Sequence, residues 1–195
     1  MKKILIITML IAVCVCITGC FGKKNDNSNS VQDLVQNNVN TAENQPEEEI
    51  EVYETFESSQ GYSLEYNPNR LLPKESDGDD YFIALVSEGA KPDKFIEDQN
   101  IFYASSIIDA ENVESVKNSV FSEENTGDCI LAKGKLTGVF KEEKIEIDNS
   151  RFKKRTFMVS LKDGNAMLIE TQFPNEYDNI WDKRFDHMLD TIVIK

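Results

Sequence analysis

Residues able to build a core are unevenly placed along this chain, and the break falls at about Ile50. From Phe21 to Glu49 the sequence is dominated by Asn, Gln, Ser, Asp, Lys and Glu, with Val31, Leu34, Val35 and Val39 as isolated aliphatic residues. Such a stretch buries too little apolar surface to offset the entropy of ordering, so residues 20–49 are expected to form a disordered polar tether. The spacing of the four aliphatic residues suggests at most a transient helix. As a flexible coil, about thirty residues span roughly 30 Å. The run Glu47-Glu48-Glu49 extends it further by self-repulsion.

Beyond the break the pattern is that of a single folded domain over residues 50–195. Val52, Thr55 and Phe56 open a strand-like stretch that Gly61 interrupts. Tyr62-Ser63-Leu64-Glu65-Tyr66 alternates large apolar with polar residues, as a half-buried strand does, and Asn67-Pro68-Asn69 ends it. Tyr81 to Val86 is a continuous apolar run of strand length, which predicts a central strand. Ile101 to Ile108 predicts another, followed by a short helix capped by Asp109 with Val113, Val116 and Val120 in one stripe. Cys129 to Phe140 and Lys144 to Ile147 suggest two further strands. Phe157, Val159 and Leu161 alternate up to Asp163-Gly164, a hairpin turn dipeptide, and Met167, Ile169, Thr171 and Phe173 form the inward face of the returning strand. After Pro174-Asn175, Tyr177, Ile180, Trp181, Phe185, Met188 and Leu189 recur at helical spacing, with Asp182, Lys183 and Asp186 on the opposite face. Thr191 to Ile194 closes as a short β run. An α+β fold follows: a mainly antiparallel sheet flanked by a few helices.

The start of the chain has a separate logic. Lys2 and Lys3 precede fifteen uncharged residues, Ile4 to Thr18, and Ile17-Thr18-Gly19-Cys20 ends the run. A basic end, a short apolar core and small residues before a cut form the plan of a secretory signal peptide. The stretch is shorter than the ~20 residues a spanning helix needs. The tetrad resembles the lipobox of bacterial lipoproteins. That resemblance implies a signal peptide over residues 1–19 and a diacylglycerol thioether on Cys20, whose two acyl chains hold a protein stably where one does so marginally. The protein would then sit on the extracytoplasmic face of the cell membrane, reached through the lipid on Cys20. Cys14 and Cys16 would leave with the signal peptide.

Charge and cysteine content narrow the rest. Without Lys2 and Lys3, 19 Lys and Arg face 35 Asp and Glu, a formal charge of −16. Such a balance repels phosphate backbones and argues against a nucleic-acid partner. It equally disfavours docking on anionic lipid by charge. With Cys20 acylated, Cys129 has no partner for an intramolecular disulfide, so the domain is expected to be a monomer held by its core, which about 145 residues can supply. Cys129 itself reads as small apolar filler entering a strand.

Residues that carry chemistry are few. The sole histidine, His187, excludes a Ser-His-Asp set within the chain unless it serves as the base, and its place beside the last helix's apolar stripe reads as a helix edge. Asp77-Gly78-Asp79-Asp80 offers carboxylates that suit a hard cation, yet it lacks the glycine and spacing of a calcium loop and reads as a polar turn. Lys153-Lys154-Arg155 reads as the solvated part of a strand or turn. Catalytic, metal and cofactor residues are therefore expected to be none. The function expected is a membrane-anchored lipoprotein whose head binds a protein or small ligand, or supports an assembly, at the cell envelope. The alternative is an envelope hydrolase working through carboxylates.

Gly61-Tyr62-Ser63-Leu64-Glu65-Tyr66-Asn67-Pro68 and the ending Phe185-Asp186-His187-Met188-Leu189-Asp190-Thr191-Ile192-Val193 resemble the opening strand and terminal helix of the PsbP family. Asn67 separates Tyr66 from Pro68, where the family joins them directly. The resemblance implies the α/β/α sandwich that PsbP shares with Mog1, and it carries no site residue.

Overall fold

The structure is a computed structural model that describes residues 51–195 except 77, 90 and 122–125. The signal segment, Cys20, the tether and Asp77 lie outside the described residues. Among the described residues, ten strands build two antiparallel sheets. The smaller has the order β1-β2-β10, from Glu54–Glu57, Tyr62–Tyr66 and Val193–Ile194. The larger has the order β3-β4-β5-β9-β8-β7-β6. Its strands are β3 (Leu71–Ser76), β4 (Asp79–Glu88), β5 (Lys91–Ile108), β6 (Thr126–Leu131), β7 (Leu136–Ile147), β8 (Ser150–Ser160) and β9 (Ala166–Pro174). Helix α1 covers Val113–Val120 and α2 covers Asp178–Asp190. This is the expected α+β class, a mainly antiparallel sheet with a few helices.

Strand parity decides what faces the core. Val159 pairs with Met167, Phe157 with Ile169 and Tyr103 with Thr171, so these side chains share one face of the large sheet. Trp181, Phe185, Met188 and Leu189 of α2 and Tyr62 and Leu64 of β2 close over that face, all at most 5% exposed. A run of rings threads the layer: Phe56 meets Phe82 at 5.0 Å, Phe82 meets Tyr103 at 5.6 Å, and Phe185 meets Trp181 at 5.6 Å. On the opposite face Tyr81 stacks on Phe102 at 5.2 Å and Lys154 pairs with Glu170 at 2.8 Å. Helix α1 covers only one end of it, with Val113 and Lys117 beside Val139 and Met158.

Two backbone approaches are tight enough to dictate sequence. Gly138 of β7 passes so close to β8 that a Cβ there would stand 2.0 Å from the Met158 carbonyl oxygen. Only glycine fits against a backbone atom at that distance. Between β6 and β7 the chain reverses through Ala132, Lys133 and Gly134, all at positive φ. That turn splits the single strand expected from Cys129 to Phe140, while β7 runs on unbroken through Lys144 to Ile147.

Other boundaries also differ from expectation. Helix α1 begins after Asn112 with no side-chain cap, and Asp109 instead offers its carbonyl to the Asn112 amide at 2.8 Å. The strand expected from Ile101 starts ten residues earlier at Lys91, because β4 and β5 continue as a two-stranded arm past a bulge at Ile83 and Ala84. Tyr177, just before α2, and Ile180 on it are 51% and 48% exposed rather than buried.

Candidate functional site

Among the described residues, several polar constellations and a cavity beside the last strand are candidate places of action. The first is centred on Asp80, which parity turns into the core beside β2, with only 2% of its surface exposed. Its Oδ2 accepts from the Ser58 hydroxyl at 2.5 Å, the Tyr62 hydroxyl at 2.5 Å and the Gln60 amide at 2.9 Å. Tyr62 also meets Ser105 Oγ at 2.6 Å. The Gln60 side-chain Oε1 accepts from the Ile107 amide at 2.8 Å, beyond the point where β4 begins to cover β5. Burial, then the hydrogen bond with Asp80, holds the Tyr62 hydroxyl protonated well above its ordinary range. Asp79 points to the other side of β4, and burial followed by the Asp80 charge raises its carboxyl. The expected polar turn at Asp79-Asp80 is thus the start of a strand, and its second carboxylate is a buried acceptor that joins the two sheets. Among the described residues no cluster of His, Cys, Asp or Glu suits a metal ion.

The second constellation corrects the reading of Lys153-Lys154-Arg155 as a solvated cluster. Parity sends Lys153 and Arg155 inward and Lys154 outward. The Arg155 Nη1 donates to Asp186 at 2.8 Å and stands 3.1 Å from Asp182, while Nε donates to Thr171 at 3.2 Å. Its guanidinium lies 5.5 Å from the Phe173 ring and 5.6 Å from that of Phe157, which partly offsets a buried Nη2 without an acceptor. Lys153 donates to Asp182 at 2.9 Å and sits 3.6 Å from Asp178. Burial alone would lower the Lys153 pKa, but the hydrogen bond and charge of Asp182 outweigh it and the pKa rises. Asp182 and the exposed Asp186, on the helix face opposite the apolar stripe as expected, also anchor α2 on β8.

His187 keeps its expected place at the helix edge. Its Nε2 lies 3.0 Å from Glu65 and its ring stacks on Tyr53 at 3.7 Å. Cys129 is buried as a free thiol, pushed up to about 11 by burial and then by Asp128. Both readings made for these residues hold. The acids of the first two constellations are engaged by the chain's own Ser58, Gln60, Tyr62, Lys153 and Arg155.

The cavity lies where β7 begins and β8 ends, under the last strand. It encloses about 300 Å³ between Lys135, Leu136, Ser160, Leu161, Lys162, Ile194 and Lys195. Leu136, Leu161 and Ile194 form a half-buried apolar floor resting on the core. Lysines stand at the rim. Sequence reading missed this site because its seven residues come from three separated segments of chain. The detectable signal was the dipeptide pattern Lys-Leu, Leu-Lys and Ile-Lys, each placing an amine beside an apolar residue.

No protein-family profile matches the chain, and no curated protein sequence matches it. Among solved structures it is similar to a crystal structure from Bacteroides thetaiotaomicron VPI-5482, with a TM-score of 0.51 and 11% identity over 72% of this chain. The chain spans about half of that protein, 48% of its length. It is also similar to LpqN, involved in cell envelope biogenesis of Mycobacterium tuberculosis, with a TM-score of 0.47, 11% identity, and 74% and 91% of the two chains covered. A third likeness is to the solution structure of cyanobacterial PsbP (CyanoP) from Synechocystis sp. PCC 6803, with a TM-score of 0.33, 12% identity, and coverages of 75% and 94%. The Bacteroides likeness is one of fold alone, and the two scores below 0.5 carry no weight. The antiparallel α+β architecture rests on the strand register itself.

Proposed function

We propose that this protein is an extracytoplasmic lipoprotein, held at the cell membrane through Cys20, whose folded head binds a small ligand at the envelope. The lysine-rimmed cavity carries the binding half of this reading. At about 300 Å³ with an apolar floor, it has the size and lining of a small ligand site. The lipobox-like tetrad Ile17-Thr18-Gly19-Cys20 supports the anchoring half, and the polar stretch before residue 50 serves as the tether. The pairing of these carboxylates favours this over a hydrolase. Asp80, Asp182 and Asp186 are each engaged by the chain's own donors, which suits rigidity better than proton transfer.

The test is affinity capture of the full chain from detergent-solubilised envelope, with bound small molecules identified by mass spectrometry. Wild type should retain a molecule that Leu136→Trp, which fills the cavity, loses. Equal retention by both would place binding elsewhere, and no retained molecule at all would contradict the binding role.

A further inference from the structure

Resting on that binding role, we infer that the cavity takes a free single-chain anionic amphiphile, a carboxylate head on a short alkyl chain. Three observations converge. The floor of Leu136, Leu161 and Ile194 is apolar and offers a chain no hydrogen bonds. The rim carries Lys135 and Lys162, both exposed and neither paired with a carboxylate among the described residues. Lys195, the third rim lysine, is already matched by Glu57. Two exposed lysines without a carboxylate partner among the described residues therefore line the cavity. Ser160 also lines the cavity, and a serine hydroxyl can donate to a carboxylate.

Charge makes this local arrangement selective. The whole chain has a formal charge of −14, so its mean field repels anions. An anion that nevertheless binds must do so through amines placed next to its resting point, and here those amines border an apolar floor. A cation of the same shape would gain from the mean field but meet Lys135 and Lys162 at the rim. A volume of about 300 Å³ lies at the lower end for ligand pockets, which fits one short chain rather than the paired chains of a bilayer lipid.

The experiment is calorimetric titration of the purified full chain with octanoate, octylammonium and acetate, alongside co-sedimentation with vesicles of anionic phospholipid. Octanoate should bind, with acetate and octylammonium at least about tenfold weaker, the equivalent of about 1.4 kcal/mol. Lys135→Glu and Lys162→Glu, both at exposed positions that leave the core intact, should each weaken octanoate about fivefold, as for an exposed ion pair at the upper end of its range. Leu136→Trp should abolish binding. Octylammonium binding as tightly as octanoate, or octanoate indifferent to both lysine reversals, would overturn the anion assignment. If Leu136→Trp still lost the captured envelope molecule, the cavity would stand as a binding site of other specificity. Vesicle binding that depends on Lys135 and Lys162 without octanoate binding would reject the free amphiphile in favour of a headgroup surface. No octanoate binding, together with capture unchanged by Leu136→Trp, would reject the ligand class and the binding site at once.

Discussion

The Tyr62 hydroxyl lies 2.5 Å from Asp80 Oδ2, and this bond ties the small sheet to the large one. It joins residues from β2 and β4 that share no strand pairing. Tyr62 is wholly buried and Asp80 nearly so, so removing one partner leaves the other without solvent to replace it.

Tyr62→Phe should therefore cost about 1.5–3 kcal/mol, the range for a hydrogen bond to a charged group. Urea unfolding of wild type and variant measures it directly. A loss below about 0.5 kcal/mol, the level of ordinary surface substitutions, would mean that Ser58 and Gln60 alone satisfy Asp80.

Arg155 should be the most sensitive cation in the domain. Arg155→Met leaves Asp182 and Asp186 without their shared partner, and because both carboxylates keep some contact with water the loss should be about 2–3 kcal/mol. Lys74→Ala, which breaks an exposed pair with Glu97, should cost under about 1 kcal/mol. The two variants unfolding at the same urea concentration would contradict the inward placement of Arg155.

Helix α2 offers a contrast within one face of its sequence pattern. Phe185 is wholly buried, whereas Ile180 is 48% exposed. Phe185→Ala should cost about 3–5 kcal/mol, and Ile180→Ala little. Similar losses for both in a denaturant titration would mean that the helix is rotated from the orientation described.

Cys129 gives the domain a pH dependence of known sign. Burial holds the folded thiol neutral up to about 11, against an ordinary value of 9.0. The unfolded chain therefore releases its proton first. The thiol's contribution is complete below about pH 9 and declines as pH rises towards 11. Comparing urea midpoints at pH 7 and pH 10 should show a smaller drop in Cys129→Ala than in wild type. Identical drops would remove the thiol from the explanation.

Much of this fold was legible because period-two alternation survives in the strands that line the core. Tyr62 to Tyr66 gave β2 to the residue, and Met167, Ile169, Thr171 and Phe173 all face inward as read. The failures have physical causes. Strand β3 carries Pro73, which a strand tolerates at the sheet edge but which reads as a breaker in sequence. The arm from Lys91 is paired yet largely exposed, so its charged composition hides the strand. Lys153 and Arg155 were grouped with Lys154 by proximity in sequence, although they share the parity of Phe157 and Val159. That shared parity was the available clue. The cavity was invisible for a different reason, since only tertiary folding brings Lys135, Lys162 and Lys195 to one rim.

The central claim is that a head built to bind is held at the membrane through one cysteine. Cell fractionation of wild type and Cys20→Ala, with metabolic labelling by a radioactive fatty acid, tests it most directly. Wild type should carry the label and sediment with membranes, while Cys20→Ala should be unlabelled and retain its uncleaved leader, giving a larger band. A Cys20→Ala protein of unchanged size that still carries the label would contradict the account.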